Sequence, residues 1–280
     1  MNLNNYKKVL FIVFLLLIGY HIFLYTQEDH YSIYNNLYGF LSSFIYFIGA
    51  IAGLVSVKKF GTSSFVSKSV LFLSLASLVY TIALWIWSYF AIFTEVDIPY
   101  PSIADMFYLL FPVFGTIGVV MLLKIYEVKF SKKNTLLLLL LISASAFITN
   151  HFIGFPTFDS SEPWISAFDT GFVFGDFVVL SVASIALLLA GGKITSGLFF
   201  VILSFFTQGI GDFFFSYQIE NDTFWDGNFS DFLFTLSGFF MSLGIISIIK
   251  YFQNTNPKAE LQQNHQDMEP QLSDPTPRAF

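Results

Sequence analysis

All thirteen lysines and arginines of this chain fall between, or at the edges of, long apolar runs, and only in every second connection. The runs cover 9–25, 37–57, 66–93, 103–123, 135–149, 165–190, 196–217 and 230–252; the fifth is short. A bilayer core takes roughly 20 helical residues, and in lipid the backbone satisfies its own polar groups by coiling into helices. The expected fold is therefore an all-α integral membrane protein of about eight transmembrane helices. Composition agrees: 55% of the residues are hydrophobic, 38 are Phe and only 11% are charged, against about a quarter in a soluble domain.

The charge pattern also predicts an orientation. Lys7 and Lys8, then Lys58, Lys59 and Lys68, then Lys124, Lys129, Lys132 and Lys133, then Lys193, and finally Lys250, Lys258 and Arg278 mark one side. The other four connections hold acids such as Glu28, Asp97, Glu162 and Asp222 and no Lys or Arg. Positive residues stay cytoplasmic, which places both termini inside a cell membrane. Trp85, Trp87, Trp164 and Trp225 then gather at the outer interface, where indole rings prefer to lie. The first run is followed by Thr26-Gln27-Glu28-Asp29 rather than a small-residue cleavage site, so it reads as a membrane helix rather than a secretion signal. Residues 253–280 are polar and short of large apolar groups, and read as a disordered cytoplasmic tail. The absence of cysteine excludes disulfides and thiol chemistry, and the net charge of -6 excludes a basic nucleic-acid surface.

Two outer stretches look like versions of each other. Ile98-Pro99-Tyr100-Pro101-Ser102-Ile103-Ala104-Asp105 opens the fourth run, and Trp225-Asp226-Gly227-Asn228-Phe229-Ser230-Asp231 opens the eighth. Trp87-Ser88-Tyr89 precedes the first and Phe215-Ser216-Tyr217 the second. With four runs in each half, both halves share one orientation, as in a parallel duplication about an axis along the membrane normal. The expected division is a membrane domain over 1–252, with half-repeats at about 1–133 and 134–252.

The residues able to carry chemistry are five aspartates on the side without bases: Asp105, Asp169, Asp176, Asp212 and Asp231. A carboxylate exposed at mid-bilayer costs at least about 2.5 kcal/mol, so such groups face a bundle interior. Asp105 three residues after Ser102, and Asp231 three after Asn228, fit a helix capping box. Capping explains them without a ligand. Asp212 lies on one helix face with Ser204 and Gln208. Asp176 shares a face with Asp169; Asp231 aligns with Thr235, Gly238 and Ser242, and Asp105 with Tyr108, Pro112 and Gly115. Helix packing accounts for the small and hydroxyl residues in these stripes, but not for the acids. They point to a ligand-binding pocket at Asp176, Asp212 and Gln208, with Asp105, Asp231, Tyr108 and Asp169 around it.

Other chemistry is poorly signalled. His21, His30 and His151 lie on the same side, but no HxxH or HExxH spacing supports a metal site. Gly191-Gly192-Lys193 lacks the phosphate-loop pattern, so no cofactor is indicated, and no catalytic constellation stands out. Asn221-Asp222-Thr223 matches the external glycosylation acceptor pattern.

The run Pro99-Tyr100-Pro101-Ser102-Ile103-Ala104-Asp105-Met106-Phe107-Tyr108-Leu109 resembles a motif, P-[YF]-P-S-x-A-D-x-x-Y-L, in the multi-span N-terminal modules of bacterial GGDEF/EAL signalling proteins and related histidine kinases. Asp176, Gly211-Asp212, Gly227 and Asp231 occupy positions similar to later acids of those modules. The resemblance implies a membrane-embedded sensory module. No output domain follows residue 252, so signalling would pass to a separate cytoplasmic partner. Leu84 stands where the second half has Asp212, so the two halves differ at the pocket.

The expected function is thus a membrane-embedded sensory or ligand-binding module with an outward-facing acidic pocket, rather than an enzyme. A proton- or cation-coupled transporter, an intramembrane metal-dependent hydrolase and an accessory subunit of a membrane complex are the alternatives.

Overall fold

The computed structural model describes residues 2–94, 99–125, 131–152, 159–189 and 196–255. They form eight helices: α1 (Leu3–Tyr25), α2 (Ile33–Phe60), α3 (Phe65–Phe93), α4 (Ile103–Ile125), α5 (Lys132–Phe152), α6 (Pro163–Leu189), α7 (Ser196–Glu220) and α8 (Phe229–Thr255), with no strand among the described residues. Seven are long and apolar enough to cross a membrane; α5 is the exception. Its apolar stretch is bounded by Lys132, Lys133 and Asn134 at one end and Thr149, Asn150 and His151 at the other. The residues given above as a disordered tail lie, beyond Thr255, outside the described part.

Most helices outrun the apolar runs that announced them. The first begins at Leu3 rather than residue 9 and carries Lys7 and Lys8 on its own surface, with the Asn2 side chain accepting from Asn4 N at 3.1 Å. The second continues through Lys58 and Lys59 to Gly61, whose φ of 72° and N–H bond to the Val57 carbonyl end it. Backbone hydrogen bonding does not stop where hydrocarbon stops, and lysines reach water along their stems.

Two antiparallel pairs form the centre: α3 packs along α4 and α7 along α8. Helix α2 lies against α3 and α8, α6 against α4 and α7, α1 against α2 and α8, and α5 against α6. Small residues allow the central pairs to approach closely. A Cβ at Gly118 of α4 would stand 2.7 Å from the Leu73 side chain of α3. One at Gly244 of α8 would stand 2.6 Å from Val201 Cγ2 and 3.1 Å from the Gly197 carbonyl of α7. Near the lysine-bearing end of this core lie Val70, Leu73, Leu122, Leu123, Leu198, Val201, Ile202, Ile245 and Ile248, all buried. The serines among them are tied to carbonyls: Ser69 to Gly118, Ser74 to Val70 and Ser77 to Leu73.

The start of α1 meets the end of α8, where Lys250 places its Nζ 3.4 Å from Asn4 Oδ1. Both helix ends therefore occupy one face of the bundle. The other face carries the connection from Thr223 to Ser230.

Candidate functional site

The deeper part of the site is a ring of polar side chains where α2, α3, α7 and α8 meet. Gln208 of α7 stands at its centre, 6% exposed. Its Nε2 lies 3.4 Å from the Tyr80 hydroxyl of α3 and 3.4 Å from Asp212 Oδ1, one helical turn on. The Tyr46 hydroxyl of α2 donates to the Phe234 carbonyl at 2.8 Å and stands 3.3 Å from Gln208 Oε1. Tyr46 and Tyr80 stack at 4.4 Å, and Tyr108 of α4 meets Tyr80 edge-on at 5.1 Å. Just below, Ser204 and Ser237 pair at 3.0 Å between α7 and α8. In a medium without water buried polar groups pair with one another, which is why these converge.

The rim is built from helix starts. Asp105 closes the expected capping box: its Oδ2 accepts from Ser102 N and Ser102 Oγ, both at 2.7 Å, while Ser102 Oγ accepts from Asp105 N at 3.4 Å. At α8, Asn228 Oδ1 accepts from Ser230 N at 2.9 Å, Ser230 Oγ at 2.7 Å and Asp231 N at 3.3 Å. Asp231 Oδ2 reaches one residue further back than the box pattern, to Gly227 N at 2.6 Å. The shift follows from Gly227, whose φ of 87° turns its N–H toward the helix.

Asp226 ties this turn to the first half of the chain. Its carbonyl accepts from Asn35 Nδ2 of α2 at 3.0 Å, and its Oδ1 accepts from the Trp87 indole of α3 at 3.4 Å. Burial pushes the Asp226 carboxyl up to about 6, against which the indole N–H acts weakly. The Tyr108 hydroxyl lies within electrostatic reach of Asp231, Asp105 and Asp226 together. Tyr108 thereby joins the rim to the deeper ring.

The sequence-derived residues divide as follows. Gln208 and Asp212 share the deep ring; Tyr108, Asp105 and Asp231 share the rim. Asp169 sits apart on α6, accepting from the Tyr100 hydroxyl, which burial and that carboxylate push upward. Asp176 belongs to α6, but its side chain lies outside the described residues, as does that of His151. His21 stacks on Phe232 at 4.8 Å and His30 on Trp225 at 4.2 Å, so both brace the turn by ring contact.

Sequence reasoning missed Tyr46, Tyr80, Trp87, Asn35 and Asp226. One signal for Tyr80 was present: it precedes Tyr89 by the same interval that separates Gln208 from Tyr217. Comparison of the chain with protein-family models, with curated proteins and with solved structures returns no match.

Proposed function

We propose that this protein is a membrane-embedded sensory module that binds a ligand at the outward-facing acidic rim and passes the event to a partner at the lysine-bearing face. The observation that carries this reading is the continuous path from rim to seam. Tyr108 lies within electrostatic reach of the rim carboxylates and packs on Tyr80, and the Tyr80 hydroxyl meets Gln208 of α7. A ligand that displaced Tyr108 would bias the packing of α3–α4 against α7–α8, provided it binds one arrangement better than the other.

In this reading the lysine-bearing connections face the cytoplasm, both termini lie inside, and the chain is a parallel duplication. Matched contacts support the duplication. Gly118 against Leu73 corresponds to Gly244 against Val201, and contact of α2 with α8 corresponds to contact of α6 with α4. Tyr80 and Gln208, at equivalent positions, meet each other across the seam. The resemblance to the membrane modules of GGDEF/EAL proteins is in keeping with a sensory role. Transport is less well supported, because the described core between the ring and the lysine-bearing end is mainly apolar and Ser69, Ser74 and Ser77 are bonded to carbonyls, although Ser181 Oγ and Thr116 Oγ1 are buried without a partner among the described residues.

The test is the thermal midpoint of the full chain in detergent against a panel of small solutes, with Asp212→Asn and Gln208→Leu beside the wild type. A solute at 100 times its dissociation constant adds about 2.7 kcal/mol of stability. The expected result is a shift in the wild type that weakens several-fold in both variants. A panel without effect on the wild type, or equal responses in all three proteins, removes the sensory reading.

A further inference from the structure

At the lysine-bearing face the chain turns from α2 into α3 through Gly61-Thr62-Ser63-Ser64, all exposed. Phe65 opens α3 and is 47% exposed. Two lysines from different helices lie over its ring: Lys68 of α3, with Nζ 5.8 Å from the centroid, and Lys124 of α4, with Nζ at 5.4 Å. No other ring among the described residues carries two cations. The arrangement is electrostatically unfavourable by itself. Lys68 stands near the start of α3, at the positive end of the helix dipole, and the first turn of that helix has no acid. Lys124 brings a like charge to the same ring, and Lys58 and Lys59 end α2 just before the turn. No acid occurs between Asp29 and Glu95, and α4 carries Asp105 at its opposite end. Glu127, outside the described residues, leaves four lysines to one carboxylate. The aromatic face attracts each ammonium weakly, but it supplies no anion. For helices suited to a bilayer, the anions available at a helix end are lipid phosphates, which basic clusters between membrane helices attract. An exposed phenyl ring between the ammonium groups suits a lipid, whose acyl chain can cover it, better than a free ion.

We propose that the start of α3 and the end of α4 bind an anionic phospholipid. Its phosphate accepts hydrogen bonds from the Nζ groups of Lys68 and Lys124, and its acyl chain lies on the Phe65 ring. A zwitterionic headgroup would bring its own ammonium against these lysines, so the lipid is a net anion. The site uses none of the rim or ring residues, and it stands or falls independently of the sensory reading.

The experiment titrates the full chain in neutral detergent with phosphatidylglycerol, phosphatidylcholine and inorganic phosphate. Bound lipid is counted by native mass spectrometry, and the thermal midpoint is read beside it. Wild type is compared with the double variant Lys68→Gln/Lys124→Gln and with Lys7→Gln/Lys8→Gln, which removes the same charge from the same face. Lys124→Gln alone, at an exposed helix end, keeps the test open should the first pair fail to fold. Phosphatidylglycerol is expected to bind the wild type in preference to phosphatidylcholine and to raise its midpoint. Its apparent affinity should fall about tenfold or more in Lys68→Gln/Lys124→Gln and several-fold in Lys124→Gln, and stay within about twofold in Lys7→Gln/Lys8→Gln. Equal losses in the two double variants would mean a diffuse basic surface and overturn the site. So would equal binding of phosphatidylcholine, or a midpoint raised as far by inorganic phosphate. Lipid binding that appears only after removal of residues 256–280 would assign the lysines to Glu260, Asp267, Glu269 and Asp274 of that segment, and would likewise overturn the assignment.

Discussion

Asp226 and Asp231 differ in how they are held, and the difference is testable by titration. Asp231 is fastened to Gly227 N, whereas Asp226 has, among the described residues, the Trp87 indole alone. With its carboxyl raised from 3.8 to about 6, the folded protein binds more protons than the unfolded chain between those values. Stability contributed at this position is therefore present in acid and falls as pH rises from about 4 to about 6. Asp226→Asn should remove that fall, leaving the variant more stable than the wild type at neutral pH. The check is the difference between the two unfolding curves against pH; a flat difference would show that Asp226 titrates as it does in water. At the ring, Gln208→Leu loses the contacts to the Tyr80 hydroxyl and to Asp212. Polar contacts between membrane helices contribute about 0.6 kcal/mol on average, so a loss of about 1 kcal/mol is expected for the two, measured by unfolding in mixed micelles.

Among the elements, α7 and α8 approach each other closely. Alanine at Gly244 would press a methyl group onto the backbone of Val201 and the Gly197 carbonyl, neither of which can rotate away. Overpacking of this kind costs about 1–3 kcal/mol. Gly19 of α1 has nothing within 4 Å of its Cβ position, so Gly19→Ala should leave the midpoint within about 0.5 kcal/mol of the wild type. Equal effects at the two sites would contradict the packing of this pair. The helices themselves were legible because apolar runs and lysine placement are local properties of the chain. So was the Asp105 box, which needs only Ser102 three residues earlier. Asp226 was not, because its partners Asn35 and Trp87 arrive from α2 and α3. Tyr46 and Tyr80 hid for another reason: in a chain with 38 Phe, a tyrosine within an apolar run looks like one more packing ring until its hydroxyl is seen to meet Gln208. Helix ends were misjudged because hydropathy marks the lipid boundary, not the last hydrogen bond.

For the whole molecule, the meeting of Asn4 with Lys250 predicts a topology. The chain has no native cysteine, so single cysteines can be introduced at Asn2, Thr62 and Asn221, all exposed. An impermeant maleimide added to intact cells should label the cysteine at 221 at once and those at 2 and 62 only after permeabilisation. Opposite accessibility of 2 and 62 would overturn the arrangement. The apolar layer beneath the ring has an electrical consequence. A membrane potential drops mainly across the least polarisable part of its path, and moving one charge through all of it changes the energy by about 2.3 kcal/mol per 100 mV. A cation held at the rim would stop before that layer and traverse little of the field. Ion binding there would therefore be nearly indifferent to voltage.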